Sequence, residues 1–514
     1  MYKEDFIQLT KRLLQDEFEA FMAALETEPP VSIRINPRKF GAIHVEPVEK
    51  TPDDTAFNVK DALLMNRAER IPWCETGYYL PRRPSFTYDP LFHAGAYYVQ
   101  EASSMFLEQA MQTILIDPGI AKSGIRALDL CAAPGGKSTH LLSLLPDDCL
   151  LVSNEIIHGR SLVLAENIAK WGRANTIITQ NDAIDFGRIP HFFDVIVADL
   201  PCSGEGLFRK NPAARNEWSI EQVKLCASRQ RRIVRDVWDA LKPGGYLIYS
   251  TCTFNTEENE DNIRMLSGEL GAEIIPITIK PEWNIKPSYG LTVLPPYGLT
   301  VLPSYGLNTV LPVYRFFPHH IRGEGFFLAL LRKNNDSSEI QVSGSRRRLP
   351  GSRTTSQGPK SQVHVPSHIK NMLSNPEKFV FRNANSKIKP GETGIGLCNL
   401  LYTIPLKHES AFTTLSACLK IISAGLPLGE SKGDDFVPSA PLALSTELSD
   451  HAFPSIELSC EQAISYLKRN MMTLPDNTSK GYFLVIYRNI PLGFVKNTGV
   501  RANNLFPREW RIRR

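Results

Sequence analysis

Two cysteines stand where two predicted buried strands end and loops begin. Cys202 follows the run Phe193-Asp-Val-Ile-Val-Ala-Asp-Leu-Pro, and Cys252 follows Gly245-Tyr-Leu-Ile-Tyr-Ser-Thr. In an open α/β sheet, ligands bind in the crevice beyond the carboxyl ends of the strands. Two thiols at one such crevice indicate covalent chemistry at an electrophilic carbon.

A glycine-containing loop follows the first strand of the predicted sheet and opens a helix. It reads Ala127-Leu-Asp-Leu-Cys-Ala-Ala-Pro-Gly-Gly-Lys137, and its glycines allow a ligand to approach backbone N–H groups closely. The loop matches neither the G-x-G-x-x-G pattern of dinucleotide sites nor the G-x-x-x-x-G-K-[ST] phosphate loop. The loop therefore counts against a dinucleotide and is not a Walker phosphate loop.

Two acids at neighbouring strand ends complete this predicted site. Glu155 is placed to accept both hydroxyls of a ribose, and Asp182 is placed to accept an adenine amino group. Taken singly, each feature has an ordinary alternative, because such acids often cap helices and paired glycines often form turns. Together they predict S-adenosyl-L-methionine as the cofactor. The predicted binding residues are Cys131, Ala132, Ala133, Pro134, Gly135, Gly136, Lys137, Glu155, Asp182 and Asp199.

Strand and helix patterns alternate from about residue 124, which predicts an α/β domain with a mostly parallel, doubly wound, Rossmann-like sheet. The predicted strands are 125–132, 150–155, 176–181, 195–200, 246–251 and 325–331. Residues 1–90 are predicted to form a small α+β domain that contacts RNA, beginning with one amphipathic helix over 1–30. Residues 91–333 form the cofactor domain, with a tandem octapeptide repeat at 287–313 as an insertion. A flexible basic linker, 334–365, precedes a C-terminal unit, 366–514.

The overall composition narrows the class of protein. The chain has 514 residues, 58 Lys and Arg against 54 Asp and Glu, and a net charge of +4, which permits a nucleic-acid partner. Its nine cysteines lack any C-x-x-C pair, so neither a disulfide framework nor a zinc or other metal site is predicted. No signal peptide and no apolar run of about 20 residues is evident, so a cytoplasmic protein is expected.

Several segments resemble the Sun (Fmu) family of RNA cytosine-5 methyltransferases. They are Leu130-Cys-Ala-Ala-Pro-Gly-Gly-Lys137, Asp199-Leu-Pro-Cys-Ser-Gly-Glu-Gly206, Leu241-Lys-Pro-Gly-Gly245, Ser250-Thr-Cys-Thr-Phe-Asn255, Tyr98-Val-Gln-Glu-Ala-Ser-Ser104 and Gly323-Glu-Gly-Phe-Phe327. The C-terminal unit is similar to the PUA-like RNA-binding tail of the bacterial small-subunit rRNA enzymes of this family. The resemblance covers nearly the whole chain but fails over the repeat and the linker.

The resemblance implies a class I methyltransferase sheet and a role for each residue. Cys252 is the expected nucleophile at C6 of the base, Cys202 assists product release, and Asp199 gives N3 a hydrogen bond or a proton. DNA enzymes of this chemistry attack instead from the Pro-Cys position, so the presence of both thiols favours RNA. The expected activity is methylation of cytidine C5 in small-subunit rRNA, with rRNA or the small ribosomal subunit as the partner and a monomeric protein.

Two alternatives remain open from the sequence: the same chemistry on tRNA, or an RNA-binding ribosome-assembly factor without catalysis. The intact set Asp199, Cys202 and Cys252 argues against the second. Lys137 either offsets ligand charge or caps local carbonyl groups. The predicted RNA-facing cations are Arg34, Arg82, Arg83, Arg209, Lys210, the Arg346-Arg-Arg348 run and the C-terminal arginines.

Overall fold

The computed structural model describes residues 2–41, 68–120, 123–289, 310–335, 363, 365–385, 398–475 and 477–513. These residues form a small N-terminal sheet, a ten-stranded central sheet and two four-stranded C-terminal sheets. Most of the octapeptide repeat, most of the predicted linker and the Arg346-Arg-Arg348 run lie outside the described residues. Among those described, no helix is long and apolar enough to cross a membrane.

The N-terminal part pairs four antiparallel strands in the order Glu69–Arg70, Gly77–Leu80, Val31–Ile35 and Tyr97–Val99. The single helix predicted over 1–30 is wrong, because the chain breaks at Gln15, whose φ is 49°, and makes a short 3-10 turn before the helix resumes. The elements are α1 Glu4–Leu14, α2 Phe18–Leu25, β1 Val31–Ile35, α3 Pro37–Phe40, β2 Glu69–Arg70, β3 Gly77–Leu80, α4 Pro90–His93 and β4 Tyr97–Val99.

The central part alternates strands and helices, and its core strands are buried apolar runs. Its helices are α5 Leu107–Ile116, α6 Gly136–Leu144, α7 His158–Trp171, α8 Pro212–Glu217, α9 Ile220–Trp238 and α10 Glu260–Leu270. Its strands are β5 Arg126–Asp129, β6 Leu150–Asn154, β7 Thr176–Thr179, β8 Phe193–Asp199, β9 Leu241–Thr251, β10 Glu273–Ile275, β11 Lys286–Tyr289, β12 Val310–Phe316 and β13 Phe326–Arg332.

Strand order places the ligand crevice between β5 and β8. The strands β7-β6-β5-β8-β9 are parallel, and β13 adds an antiparallel strand beside β9. The order of connection reverses between β5 and β8, and ligands of doubly wound sheets bind at this switch point. The predicted doubly wound, Rossmann-like sheet is confirmed.

The C-terminal part also extends the central sheet. The strand Ile421–Ala424 pairs antiparallel with β7 at the sheet's far edge. The strands here are β14 Phe379–Asn385, β15 Cys398–Pro405, β16 Ile421–Ala424, β17 Leu426–Lys432, β18 Asp435–Pro438, β19 Ser455–Glu457, β20 Gly481–Tyr487, β21 Ile490–Asn497 and β22 Ala502–Asn504. The helices are α11 Ser367–Lys370, α12 Glu409–Cys418, α13 Ala440–Leu444 and α14 Cys460–Leu467. The pairing ties the C-terminal sheets to the cofactor domain.

Buried histidines make stability depend on pH. Burial lowers the pKa of His93, His140 and His408 to about 4, against about 6.5 in an unfolded chain. Unfolding therefore takes up protons between these values, so stability falls as the pH drops from about 6.5 towards 4. Burial also raises the pKa of Asp129 to about 7. Asp129 therefore releases a proton on unfolding in this range, which offsets the uptake by one histidine. We expect scanning calorimetry to give a lower thermal midpoint at about pH 5 than at about pH 7.5; an unchanged midpoint contradicts this.

Candidate active site

The two cysteines meet at the carboxyl edge of the central sheet. Strands β8 and β9 are parallel neighbours, with Asp199 opposite Ser250, so the loops that follow them leave the sheet side by side. The Sγ atoms of Cys202 and Cys252 are 3.1 Å apart, and both residues are partly exposed. A hydrogen bond with Cys252, burial and the negative charge of Glu258 raise the pKa of Cys202 well above its usual value. These influences favour the protonated form of the Cys202 thiol.

An ion pair lies beside the thiols, at the end of β8. Lys137 Nζ is 2.7 Å from Asp199 Oδ2, and Ser250 Oγ donates a 2.8 Å hydrogen bond to Asp199 Oδ1. Burial lowers the pKa of Lys137, but the charges of Asp199, Asp129 and Cys252 raise it by more. Lys137 thus carries a positive charge toward Asp199 rather than capping backbone carbonyls. Asp199 thus has two donors on its carboxylate, Lys137 and Ser250, and its predicted contact with N3 of the base stays a prediction.

The loop after β5 lines a cavity of about 190 Å³ at the switch point. Its lining residues are Tyr98, Val99, Gln100, Glu101, Ser104, Asp129, Cys131, Ala132, Ala133, Pro134, Gly136, Lys137 and Asp199. Gly135 adopts a φ of 114°, a conformation that glycine tolerates best, and so permits the turn into α6. A Cβ added to Gly136 would lie 3.4 Å from the Tyr98 ring, so side chains here would narrow the cavity.

The donor and acceptor groups of this cavity fit a cationic, N–H-bearing ligand. Asp129 is fully buried; its Oδ2 accepts a bond from Ser138, whereas its Oδ1 has no hydrogen-bond partner. Asp199 supplies a second carboxylate. S-adenosyl-L-methionine carries a sulfonium and an ammonium group, which complement two acids. The residues present therefore fit the predicted cofactor.

Glu155 and Asp182 lie outside the lining of this cavity, at the ends of β6 and β7. Glu155 is buried, accepts a bond from the Ile157 N–H at 2.9 Å and pairs with Arg160 at 3.3 Å. Asp182 caps a 3-10 turn by accepting from the Ile184 N–H at 3.4 Å. The helix-cap alternative for Asp182 is thus realised in this structure, and its contact with an adenine stays a prediction.

Two predicted RNA-facing arginines are instead buried, which corrects those two assignments. Arg34 is 0% exposed and donates to Gln100 Oε1 at 2.9 Å and Thr139 Oγ1 at 2.6 Å. The Arg209 side chain is 5% exposed and pairs with Glu324. The residues that pair with Arg34 and Arg209 are distant from them in the sequence, so no local pattern predicts that these arginines are buried.

Arg34 supports the cofactor loop from the N-terminal sheet. Its Nη2 also donates to the Gly136 carbonyl at 3.3 Å, and Gln100 lines the cavity. Hydrogen bonds from charged groups contribute about 1.5–3 kcal/mol each. We expect Arg34→Lys, which loses the forked geometry, to raise the KM for S-adenosyl-L-methionine about tenfold. The control Arg38→Lys, at an exposed arginine paired with Asp147, should leave it unchanged; equal effects in methyl-transfer kinetics would contradict this role.

Comparison with known proteins identifies the family. The model of the 16S rRNA methyltransferase RsmB/F family matches residues 120–332, the N-terminal domain model of 16S rRNA methyltransferase RsmF matches residues 3–102, and the methyltransferase RsmF PUA domain model matches residues 453–512. Ribosomal RNA small subunit methyltransferase F of Aliivibrio fischeri is 30% identical over 96% of this chain and 93% of its own. The chain belongs to the 16S rRNA methyltransferase RsmB/F family.

A second relative matches this chain over a similar extent. Ribosomal RNA small subunit methyltransferase F of Vibrio cholerae is 27% identical over 98% of this chain and 97% of its own. A solved methyltransferase homologue from Pyrococcus horikoshii is 26% identical, with a TM-score of 0.47 over 65% of this chain and 95% of that one. Membership of the RsmB/F family confirms the predictions of a methyltransferase and of S-adenosyl-L-methionine as its cofactor. The roles of individual site residues stay predictions.

Proposed function

We propose that this RsmB/F-family enzyme methylates C5 of a cytidine in small-subunit ribosomal RNA through a transient covalent bond from Cys252 to C6 of the base. The observation that carries the proposal is the 3.1 Å approach of two thiols beside the Lys137–Asp199 pair at the cofactor cavity. Cytosine C5 is a poor nucleophile until a thiolate adds at C6, and covalent catalysis divides this difficult step into easier ones.

Electrostatics supports Cys252 as the attacking thiol. Lys137 is close enough for the charge of Cys252 to raise the lysine pKa, so the ammonium stabilises a thiolate there in return. Cys202 instead faces the negative charge of Glu258, which favours its protonated form. The thiolate of Cys252 adds to C6 while the electron pair of the C5–C6 double bond moves into the ring and N3 gains a proton. We propose that this proton comes from the Lys137–Asp199 pair rather than from Asp199 alone.

The remaining steps restore the aromatic base. S-adenosyl-L-methionine supplies the electrophilic methyl group when bound. After C5 is methylated, a base removes the C5 proton, the C5–C6 double bond re-forms and Cys252 leaves as a thiolate. N3 then returns the proton it gained to the Lys137–Asp199 pair, which restores the neutral base. Cys202 is positioned to assist this release, because its sulfur is the polar atom 3.1 Å from the departing one.

The target base reaches this edge only after leaving its stack. Exposed cations around the described surface include Arg82, Arg83, Lys210, Arg508, Arg511 and Arg513. The match to a PUA domain and the names of the relatives support small-subunit rRNA over tRNA as the partner. Phosphate contacts of this kind make binding weaken as salt rises.

Nucleoside analysis of two candidate RNAs tests this proposal. The purified protein is incubated with unmodified small-subunit rRNA, with assembled small subunits or with tRNA, and the nucleosides are separated by liquid chromatography and mass spectrometry. We expect 5-methylcytidine in rRNA, free or assembled, and none in tRNA. Methylation of tRNA alone would favour the first alternative, and RNA binding without any methyl transfer would favour an assembly factor.

A further inference from the structure

Two buried carboxylates join the loops that carry the thiols. Glu205 follows Cys202 in the loop after β8, and Glu258 follows Cys252 in the segment after β9. Both are nearly inaccessible, at 2% and 0% exposure, and among the described residues neither has a cationic partner within 4 Å. Burying a charged group without a counter-ion is costly unless several hydrogen bonds satisfy it. The hydrogen-bond donors around these two acids must therefore stabilise them.

Glu205 binds the loop of the other cysteine. Its Oε2 accepts the backbone N–H groups of Phe254 at 2.8 Å and Asn255 at 2.9 Å. Its Oε1 accepts the Trp218 indole N–H at 2.9 Å and the Asn255 side-chain amide at 3.1 Å. The first acid thus fixes the backbone just after Cys252.

Glu258 makes the reciprocal connection. It accepts the backbone N–H of Ser203, the residue after Cys202, at 3.0 Å. It also accepts the Gln230 amide at 2.8 Å and the Asn255 amide at 2.7 Å. The hydroxyl groups of Ser203 and Thr253 are 2.9 Å apart and close the same junction.

We propose that Glu205, Glu258 and Asn255 form a brace of positioning residues that holds the Cys202 and Cys252 thiols toward one point. Glu258 binds the backbone N–H next to Cys202, Glu205 binds those two and three residues after Cys252, and Asn255 donates to both acids. The strands bring the two loops together, and the brace fixes the positions of the two sulfur atoms within them. This part of the proposal is independent of the proposed function, whereas the effect of the brace on turnover rests on that function. A misplacement of about 1 Å between reacting groups costs about 100-fold in rate.

A cross-linking experiment tests the brace without relying on activity. Dibromobimane becomes fluorescent when it links two nearby thiols, and peptide mapping identifies the pair. We expect wild-type protein to link Cys202 to Cys252. Glu205→Gln or Glu258→Gln should lower the yield of this link at least fivefold, because the amide N–H of glutamine would face the backbone N–H groups that the carboxylate accepts. Glu257→Gln is the matched control: it is the adjacent glutamate, and it should cross-link as wild type does.

Kinetics provides the second readout. The same two glutamine variants should lower kcat about 100-fold while changing the KM for S-adenosyl-L-methionine less than twofold, because the cofactor loop lies outside the brace. Asn255→Ala, which keeps both acids, covers the case in which a glutamine variant does not fold, and it should lower both the cross-link yield and kcat. Folded variants with wild-type cross-linking and kcat would overturn the brace. If the variants lower the cross-link yield as expected but the wild-type protein never methylates RNA, the proposed function is overturned and the brace is not.

Discussion

Cys202→Ala is expected to leave the protein covalently attached to its RNA. The substitution keeps Cys252 and the Lys137–Asp199 pair, so the thiolate still adds to C6 and the methyl group is still transferred. It removes the sulfur 3.1 Å away that assists release, so the adduct accumulates. A labelled RNA complex that survives detergent electrophoresis measures this outcome, and most of the bound RNA should run with the protein.

Two controls make that result specific. Cys226→Ala changes another cysteine, which is buried in α9, and should accumulate no adduct. The double variant Cys202→Ala with Cys252→Ala should also form none. An adduct in the double variant would move the covalent bond to another residue, and its absence in Cys202→Ala itself would contradict the role given to Cys202.

Lys137→Met is expected to lower the rate of methyl transfer about 100- to 1000-fold, the cost of removing one preorganised charged donor from an active site. The ammonium lies 2.7 Å from Asp199, and in the proposed mechanism it stabilises the thiolate that attacks from Cys252. Single-turnover kinetics at saturating cofactor measures the effect on the chemical step. Lys170→Met is the matched control, because Lys170 is also buried and paired, with Glu166, on α7.

A double-mutant cycle tests whether Lys137 and Asp199 act as one unit. Asp199→Asn alone should lower the rate by a similar factor. Because the residues share one hydrogen-bonded pair, the double variant should lose much less than the product of the two single effects. Independent, multiplicative losses would show that N3 and the thiolate are served by separate groups.

The sequence allows the central sheet and the meeting of the two thiols to be predicted for the same reason. The strands are continuous buried apolar runs, and their carboxyl ends must lie at one edge, so residues just beyond β8 and β9 converge. The break at Gln15 was not predictable, because the apolar spacing continues through it. The pairing of β16 with β7 joins segments about 240 residues apart in sequence, which no local pattern specifies.

Charged side chains were the least predictable part of the site. Arg34 and Arg209 looked like surface cations, because a sequence does not show the distant acceptors that bury them. Glu205 lies inside the segment 199–206 that resembles the Sun (Fmu) family, so its position three residues after Cys202 was a local signal of a role at the site. Nothing local distinguished Glu258 from its neighbour Glu257, since only the fold brings one of them to Ser203.

The central claim is that the sulfur of Cys252 bonds to C6 of the target cytidine. RNA that carries 5-fluorocytidine tests it most directly in the wild-type protein, because fluorine at C5 cannot be removed as a proton and the covalent intermediate persists. After digestion with nuclease and protease, mass spectrometry locates the attached nucleotide. The account predicts a fluorinated, methylated nucleotide on the peptide that contains Cys252. Attachment at Cys202, or no attachment while natural RNA is methylated normally, would contradict it.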